Sequence, residues 1–387
     1  MTDVAVAHTK NLNSAAAAGE LAQVLLAELG NSPDALILFA SPEYDFSVLL
    51  PKLRGGCDSP ILVGCSSAGE FTSAALQQQT ACAIAFRSLD LHFAAGLGRE
   101  LSKSGSGAAR QLVDSFQFNN KSSFVYRSAM VMADSLAGNV EELVHEMTLL
   151  THGMHQLFGG GAGDDARFER TQVFYGDNAY TDAAIALEIL SNKPIGIGVR
   201  HGWEPVDGPY RVTESEGTRV KSLNAAPAVE IFHNYAERIG QNFNAAEPLP
   251  FFLSNVIGIS TEQGQLLRVP LSVNTDGSIE FAAAVPTGSL VHIMRASSES
   301  AAQAAREASE SALTQLDEYK PQVALFFDCV ATRLRTGEAF NNELEALQLA
   351  VGDAQCVGCN TYGQIARSDG QFSGFHNCTA VVGIFPK

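Results

Sequence analysis

One pattern is written three times in this 387-residue chain: an apolar run, a Gly, small or polar residues, a second Gly, then an acid or amide. It stands at Ile61–Phe71 as ILVGCSSAGEF, at Gln156–Asp165 as QLFGGGAGDD and at Cys356–Ile365 as CVGCNTYGQI. An apolar run that ends in small residues and Gly reads as a buried strand opening into a tight turn. Three such strands at similar spacing from a preceding buried strand predict one architecture used three times. The fold class this implies is α/β, with repeated β-α-β-α-β-β units, three of them, around an inserted mixed, β-rich segment.

In the first round Val4–Ala7 reads as a strand and Ser14–Leu29 as a helix capped by Asn13 or Ser14. Ala35–Ala40 and Ile61–Val63 read as strands around a helix from Phe46 to Leu53, and Thr80–Phe86 closes the round. The second round runs from Leu91–Gly98 through Ala129–Ala133 to Gln172–Tyr175, with helices at Ser104–Phe116 and Val140–Leu150. The third begins at Leu290–Met294 and continues through a long helix at Ser297–Leu316, a strand at Val323–Phe327, a helix at Ala339–Ala350 and TAVVGIF at Thr379–Phe385. Between the second and third rounds, turns at Asp207-Gly208-Pro209, Glu216-Gly217 and Asp276-Gly277 carry hairpin chemistry. The expected regions are residues 1–192 with two units, 193–285 as the bridging segment, and 286–387 with the third unit.

Composition narrows the function. With 25 Lys+Arg against 42 Asp+Glu the net charge is −17, and no basic run stands out. That excludes a phosphate-binding surface for nucleic acid and disfavours an anionic membrane. No apolar run reaches the roughly 18 residues of a membrane span, and the N-terminus lacks a signal-peptide pattern. Seven cysteines, several inside apolar runs, fit reduced, buried thiols and a cytoplasmic protein.

VGCSSAGEF followed by an apolar strand resembles the FIST N-terminal domain. GIGVRHGWEPVDGPYRVTESEG with PAVEIF after it resembles the crossover into the family's C-terminal half, and CNTYGQIA with GFHNCTAVVGIF its end. The resemblance covers about Asp34 to Phe385. It implies a sensory module that binds a small ligand. It also implies, from stand-alone bacterial members of this length, a haem-binding nitric oxide sensor acting on a separate histidine kinase or cyclic-di-GMP enzyme. An absence of catalysis goes with that reading. Oligomeric state is left open.

A non-covalent haem needs an axial ligand in an apolar pocket. His201, at the end of GIGVR beside Trp203, the lone Trp, is the first candidate for the iron and His376 in GFHNCT the second. The bland alternative for His201 is a bond to a backbone group of its hairpin. His145, His152 and His155 lack the HExxH form, and Cys356-Val-Gly-Cys359 is followed by Asn360, not the His of a covalent haem site. Cys359 corresponds to Cys65 and Gly160 in the repeat, a place for a small residue.

The turns are the other candidates, because ligands of α/β sheets bind at the carboxyl ends of strands. Gly64, Gly69, Gly160, Gly161 and Gly363 allow close backbone approach, while Ser66, Ser67, Asn360, Thr361 and Tyr362 supply hydroxyl, phenol and amide groups. A haem-free sensor of an amino acid or similar anion would use these. Ser66 or Ser67 as a nucleophile in a small amide or ester hydrolase is a further alternative, although GCSSAG is not the GxSxG elbow. Asp164, Asp165 and Glu70 are carboxylates whose separation the sequence does not fix.

Overall fold

The computed structural model describes residues 2–73, 75–77, 79–119, 123–368 and 374–387. Runs such as Ala35–Ala40, buried at every position, need apolar cover on both faces of their sheet. Three sheets with one shared plan provide it. In the first, Thr2–Thr9, Ala81–Ser88, Ala35–Ala40 and Leu62–Ser66 lie side by side in that order. The second repeats the order with Leu91–Arg99, Ala183–Ser191, Tyr126–Ala133 and Gln156–Gly161. The third repeats it with Gly196–Arg200, Ala380–Pro386, Pro321–Cys329 and Gln355–Thr361. The last two strands of each set run parallel, as a helical crossover demands. Inner faces from all three sheets meet in one core, with Phe39, Phe86, Met130, Phe158, Phe327 and Phe385 among its members. Helices cover the outer faces in separate clusters.

Each unit lends a hairpin to a neighbour. Glu70–Thr72 and Ala75–Gln77 extend the third sheet, Val173–Tyr175 and Asn178–Tyr180 the first, and Gln364–Arg367 and Gly374–His376 the second. This cyclic exchange closes the units into a ring. The helices that open the units are capped as Ser/Asn chemistry predicts, with Asn13, Ser104 and Ser297 each accepting a backbone N–H.

Strand register puts Gly64, Gly159 and Gly358 at equivalent places, opposite Leu38, Val131 and Phe326. A Cβ there would lie 1.8, 2.0 and 1.9 Å from those residues' carbonyl oxygens. Glycine is therefore a packing requirement at all three, and Gly64 is a strand-interior contact rather than the ligand-binding position expected for it. Cys65, Gly160 and Cys359 follow at the next equivalent place. All seven cysteines are buried and free of disulfides, in line with the thiol reading.

The third unit opens elsewhere than expected. Leu290–Arg295 pairs with Glu204–Glu216 and Val256–Thr261 inside the inserted sheet, and Gly196–Arg200 is the unit's true first strand, antiparallel to Ala380–Pro386. The insert thus falls between the first strand and first helix of unit three. It has its own sheet, the helix Val229–Ile239 and its own core. The physical reason is close packing: a Cβ on Gly196 or Gly198 would meet the backbone of helix Ser298–Thr314 at 2.0 or 1.8 Å, as Gly96 and Gly98 meet helix Gly105–Val113 in unit two. Among the described residues, no helix is long and apolar enough to cross a membrane, and no group of three or more His, Cys, Asp or Glu is placed to hold a metal ion.

Candidate functional site

The ring brings the three turns together at one end. Ala68 N–H donates to Asn360 O at 3.0 Å, and Asn360 N–H to Gly69 O at 2.8 Å. Gly161 N–H donates to Gly363 O at 2.8 Å and Tyr362 N–H to Gly161 O at 3.0 Å. Gly163 N–H and Asp165 N–H reach Ser66 O and Ser67 O at 2.8 and 3.1 Å. Turn one is bonded to three, three to two, and two to one, so the backbone amides expected to hold a ligand are largely spent on the junction itself.

The hydroxyls are also spent. Ser66 Oγ donates to Gln172 O at 3.2 Å and accepts Gln172 N–H at 2.9 Å. Ser67 Oγ donates to Glu70, and Thr361 Oγ1 donates to Asp328 O at 3.1 Å. Tyr362 donates to the Asp164 carboxylate, stacks on Phe168 at 4.5 Å, and leaves Asp164 to cap Phe168, Glu169 and Arg170 N–H groups. These contacts fix the turns and correct the reading of Ser66, Thr361 and Gly161 as ligand groups: their polar atoms and backbone are committed within the ring.

What stays uncommitted is more informative. Arg333, 9% exposed, lays its guanidinium over Gly69, where a Cβ would come within 2.5 Å of Nη1. Its Nη1 is buried with no hydrogen-bond partner. Asn360 is fully buried with neither Oδ1 nor Nδ2 bonded, and its Oδ1 would lie 3.0 Å from the same Gly69 Cβ. Asp165 accepts from Ser41 Oγ at 2.7 Å through Oδ2, and its buried Oδ1 has no partner. The Tyr44 hydroxyl, close enough to feel the Glu70 charge, is unpaired too. Orphaned buried polar groups are uncommon, so several at one point call for an explanation.

Electrostatics marks the same spot. Burial lifts the Glu70 carboxyl to about 7, opposed by its bonds from Ser67 and Thr80 and assisted by Asp165. Burial also raises Asp165 and lowers Arg333, while the charges of Glu70 and Asp165 pull Arg333 back up. One cation faces two acids across a buried junction that opens outward at half-buried Asp165 and Ala166. Arg333 was not among the residues expected here. Its helix, Val330–Thr336, fills a stretch that carries no amphipathic pattern in the sequence, so only the three-dimensional placement reveals it.

The haem residues are placed differently from the expectation. His201 Nε2–H donates to Gln265 O at 2.9 Å and Nδ1 accepts Trp203 N–H at 3.3 Å, which is the hairpin-capping role. Trp203 is buried with Met294, Cys329 and Cys378, its ring covered by the Arg335 guanidinium at 5.2 Å. His376 is near His201 but buried against Arg268, and burial pushes its imidazole down to about 3. Both ring nitrogens of His201 are engaged, the indole face is taken by a cation, and an immobilised guanidinium flanks His376. These residues do not fit a porphyrin as they stand. Beyond Tyr362 and Gly363, an apolar cavity of about 110 Å³ separates insert from ring; it is lined by neither histidine.

A ring of repeated α/β units with a buried, partly unsatisfied polar junction defines a ligand-binding domain. The FIST N domain model matches residues 34–226 and the FIST C domain model residues 228–367. The chain belongs to the FIST family, whose domains are sensory ligand-binding domains. It is 20% identical over 254 residues to an uncharacterised protein of Methanocaldococcus jannaschii, covering 59% of this chain and 48% of that protein, so the chain spans about half the length of that relative. Among solved structures it is similar to a cyanuric acid hydrolase from A. caulinodans at 8% identity and a TM-score of 0.35, over 99% of both chains. A phosphoribosylformylglycinamidine synthase II from Thermotoga maritima follows at 11% identity and a TM-score of 0.23, covering 100% of this chain and 72% of that one. Superpositions this loose carry no weight for the fold or activity of this chain.

Proposed function

We propose that this protein senses a small zwitterionic or anionic ligand of the amino-acid class at the junction of the three turns, without turnover. The observation that carries the reading is the buried Arg333 guanidinium, unpartnered at Nη1 beside the unbonded Asn360 amide. A ligand carboxylate matches a guanidinium with paired, charge-assisted hydrogen bonds. An ammonium matches Asp165 and Glu70, whose raised carboxyls would release their protons to solvent as its charge favours their ionised form. Occupancy would tighten helix Val330–Thr336 against the turns and so alter the surface offered to a separate signalling enzyme, which the family resemblance suggests is a histidine kinase or cyclic-di-GMP enzyme. The test is thermal unfolding with a panel of amino acids and small carboxylates. A ligand that raises the Tm of the wild type and leaves Arg333→Met unmoved supports the proposal. Stabilisation by no member, or stabilisation that survives Arg333→Met, refutes it.

A haem-dependent nitric oxide sensor has less support in the geometry, because the imidazoles and the indole are committed to other contacts. A Soret band on haem titration that His201→Ala removes would reverse that ranking. One contact supports a hydrolase for a small amide or ester: Ser67 Oγ bonded to Glu70, an acid held near neutrality. Turnover of such substrates, lost in Ser67→Ala, would establish it.

A further inference from the structure

The end of unit two that faces away from the junction carries a separate hollow of about 350 Å³, at the amino ends of strands Tyr126–Ala133 and Gln156–Gly161. Among the described residues, two arginines line it and no carboxylate does. Arg127 belongs to the first of those strands. Arg367 closes Gln364–Arg367, the strand that unit three lends to this sheet, and lies opposite Leu157. The site therefore exists only where units two and three meet. Each guanidinium is pinned once to the same turn: Arg127 Nη1 donates to Met154 Sδ at 2.8 Å, and Arg367 Nη1 to His155 O at 2.8 Å. Gly153 begins that turn with a φ of 69°, and a Cβ there would lie 3.1 Å from Arg367 Nη2. Both arginines are half-buried, and Nη2 of each bonds nothing in the chain yet is not enclosed by it. Neither meets a carboxylate, whereas Arg110, Arg219, Arg238 and Arg306 all do. In a chain of net charge −17, two unpaired guanidiniums turned to one hollow call for an anion.

We infer that this hollow binds a phosphate monoester with a compact apolar group, phenyl phosphate being the simplest member of the class. Two guanidiniums offer two positive charges and several free N–H donors. A phosphate monoester near neutral pH carries about −1.5 to −2 and three acceptor oxygens, enough for both; a carboxylate brings one charge. The hollow exceeds what a bare anion fills and falls at the small end of organic-ligand pockets, which run from about 300 to 1,000 Å³. Its remaining wall is apolar. Val125, Tyr126 and Met154 stand there 73%, 37% and 43% exposed, beside Ile195, and an ester group would cover them. A phosphate held by Arg127 and Arg367 would tie unit two to unit three. Strand Gln156–Gly161 separates this hollow from the junction by roughly 17 Å, so the inference does not rest on the junction reading.

Phenyl phosphate is titrated into the full chain near neutral pH and followed by isothermal calorimetry and ligand-observed NMR. Inorganic phosphate, which lacks the apolar group, and benzoate, which lacks the second charge, serve as partial ligands. Expected is saturable, single-site binding of phenyl phosphate, with each partial ligand about tenfold weaker. Arg127→Gln and Arg367→Gln each weaken it about tenfold or more, the loss of a charge-assisted contact. Val125→Glu, at an exposed position where folding is not at stake, adds an acid at the rim and weakens it as well. Arg333→Met leaves it unchanged. No saturable binding to the wild type overturns the inference, as does equal affinity for inorganic phosphate or benzoate. Binding undiminished in Val125→Glu or in either glutamine variant overturns it too. So does binding lost in Arg333→Met, which would assign the anion to the junction.

Discussion

Replacing Glu70 by Gln isolates the one acid that the junction holds near neutrality. The carboxyl is raised from an ordinary 4.5 to about 7 because burial penalises its ionised form. A raised acid binds its proton more tightly folded than unfolded. Its contribution is therefore full below about 4.5 and is lost as pH climbs through about 7. Those 2.5 pH units correspond to about 3 kcal/mol. Glu70 is fully buried, so solvent screening does not discount this figure. The fold itself shows that an amide fits: Gln364 begins the corresponding hairpin of unit three and accepts Thr379 N–H at 3.2 Å, as Glu70 accepts Thr80 N–H at 3.2 Å. Urea unfolding at pH 5, 6, 7 and 8.5 reads the difference. Glu70→Gln should match the wild type near pH 5 and exceed it by about 3 kcal/mol at pH 8.5. If the variant is destabilised equally at both ends of that range, the hydrogen bonds and not the buried charge dominate, and the account of the junction is wrong.

The other expectations are simpler. Arg333→Met should leave stability unchanged or raise it by about 1–3 kcal/mol in ligand-free protein, since an unpartnered buried donor is removed; chemical unfolding checks this. Gly159→Ala should cost more than about 4 kcal/mol or prevent folding, because the added Cβ would lie 2.0 Å from Val131 O; soluble yield and Tm report it. Asp328 and Glu343 are buried together, burial raises both, and each leaves an oxygen without any other partner, the arrangement of two carboxyls sharing one proton. Glu343→Gln should keep the fold and flatten the loss of stability toward alkaline pH, seen as a smaller Tm drop between pH 6 and 9.

Much of the ring was legible because its strands are buried on both faces and so write themselves as unbroken apolar runs, bounded by Gly. The Cys359, Cys65 and Gly160 correspondence held in register for the same reason. The third unit's opening strand is misplaced because Leu290–Arg295 is as apolar as a ring strand, while GIGVR reads as a short strand of the bridging segment and nothing local says that it joins the ring. A signal was present: Gly96-Leu97-Gly98 and Gly196-Ile197-Gly198 share the alternation that lets a helix lie flat on the strand. The exchanged hairpins could not be read, since local sequence does not say which sheet a hairpin joins. Arg333 has no local mark at all; its meaning comes from which neighbours fail to bond it.

The departures from threefold repetition are where chemistry gathers. Register equates Ser66, Gly161 and Asn360, three residues on nearly identical backbone. Ser66 bonds its neighbouring strand, Gly161 has no side chain, and only Asn360 is left with an unbonded amide. Ala40, Ala133 and Asp328 are likewise equivalent, and only the third carries an ionisable group. Unit three alone then continues into helix Val330–Thr336 and its Arg333, and it alone receives the insert that walls the cavity. A ring built for stability could have kept the same small residues in every unit. Polar substitutions concentrated in one unit, against unchanged glycine contacts in all three, are why the proposed site centres on unit three, with Glu70 of unit one and Asp165 of unit two facing it across the junction.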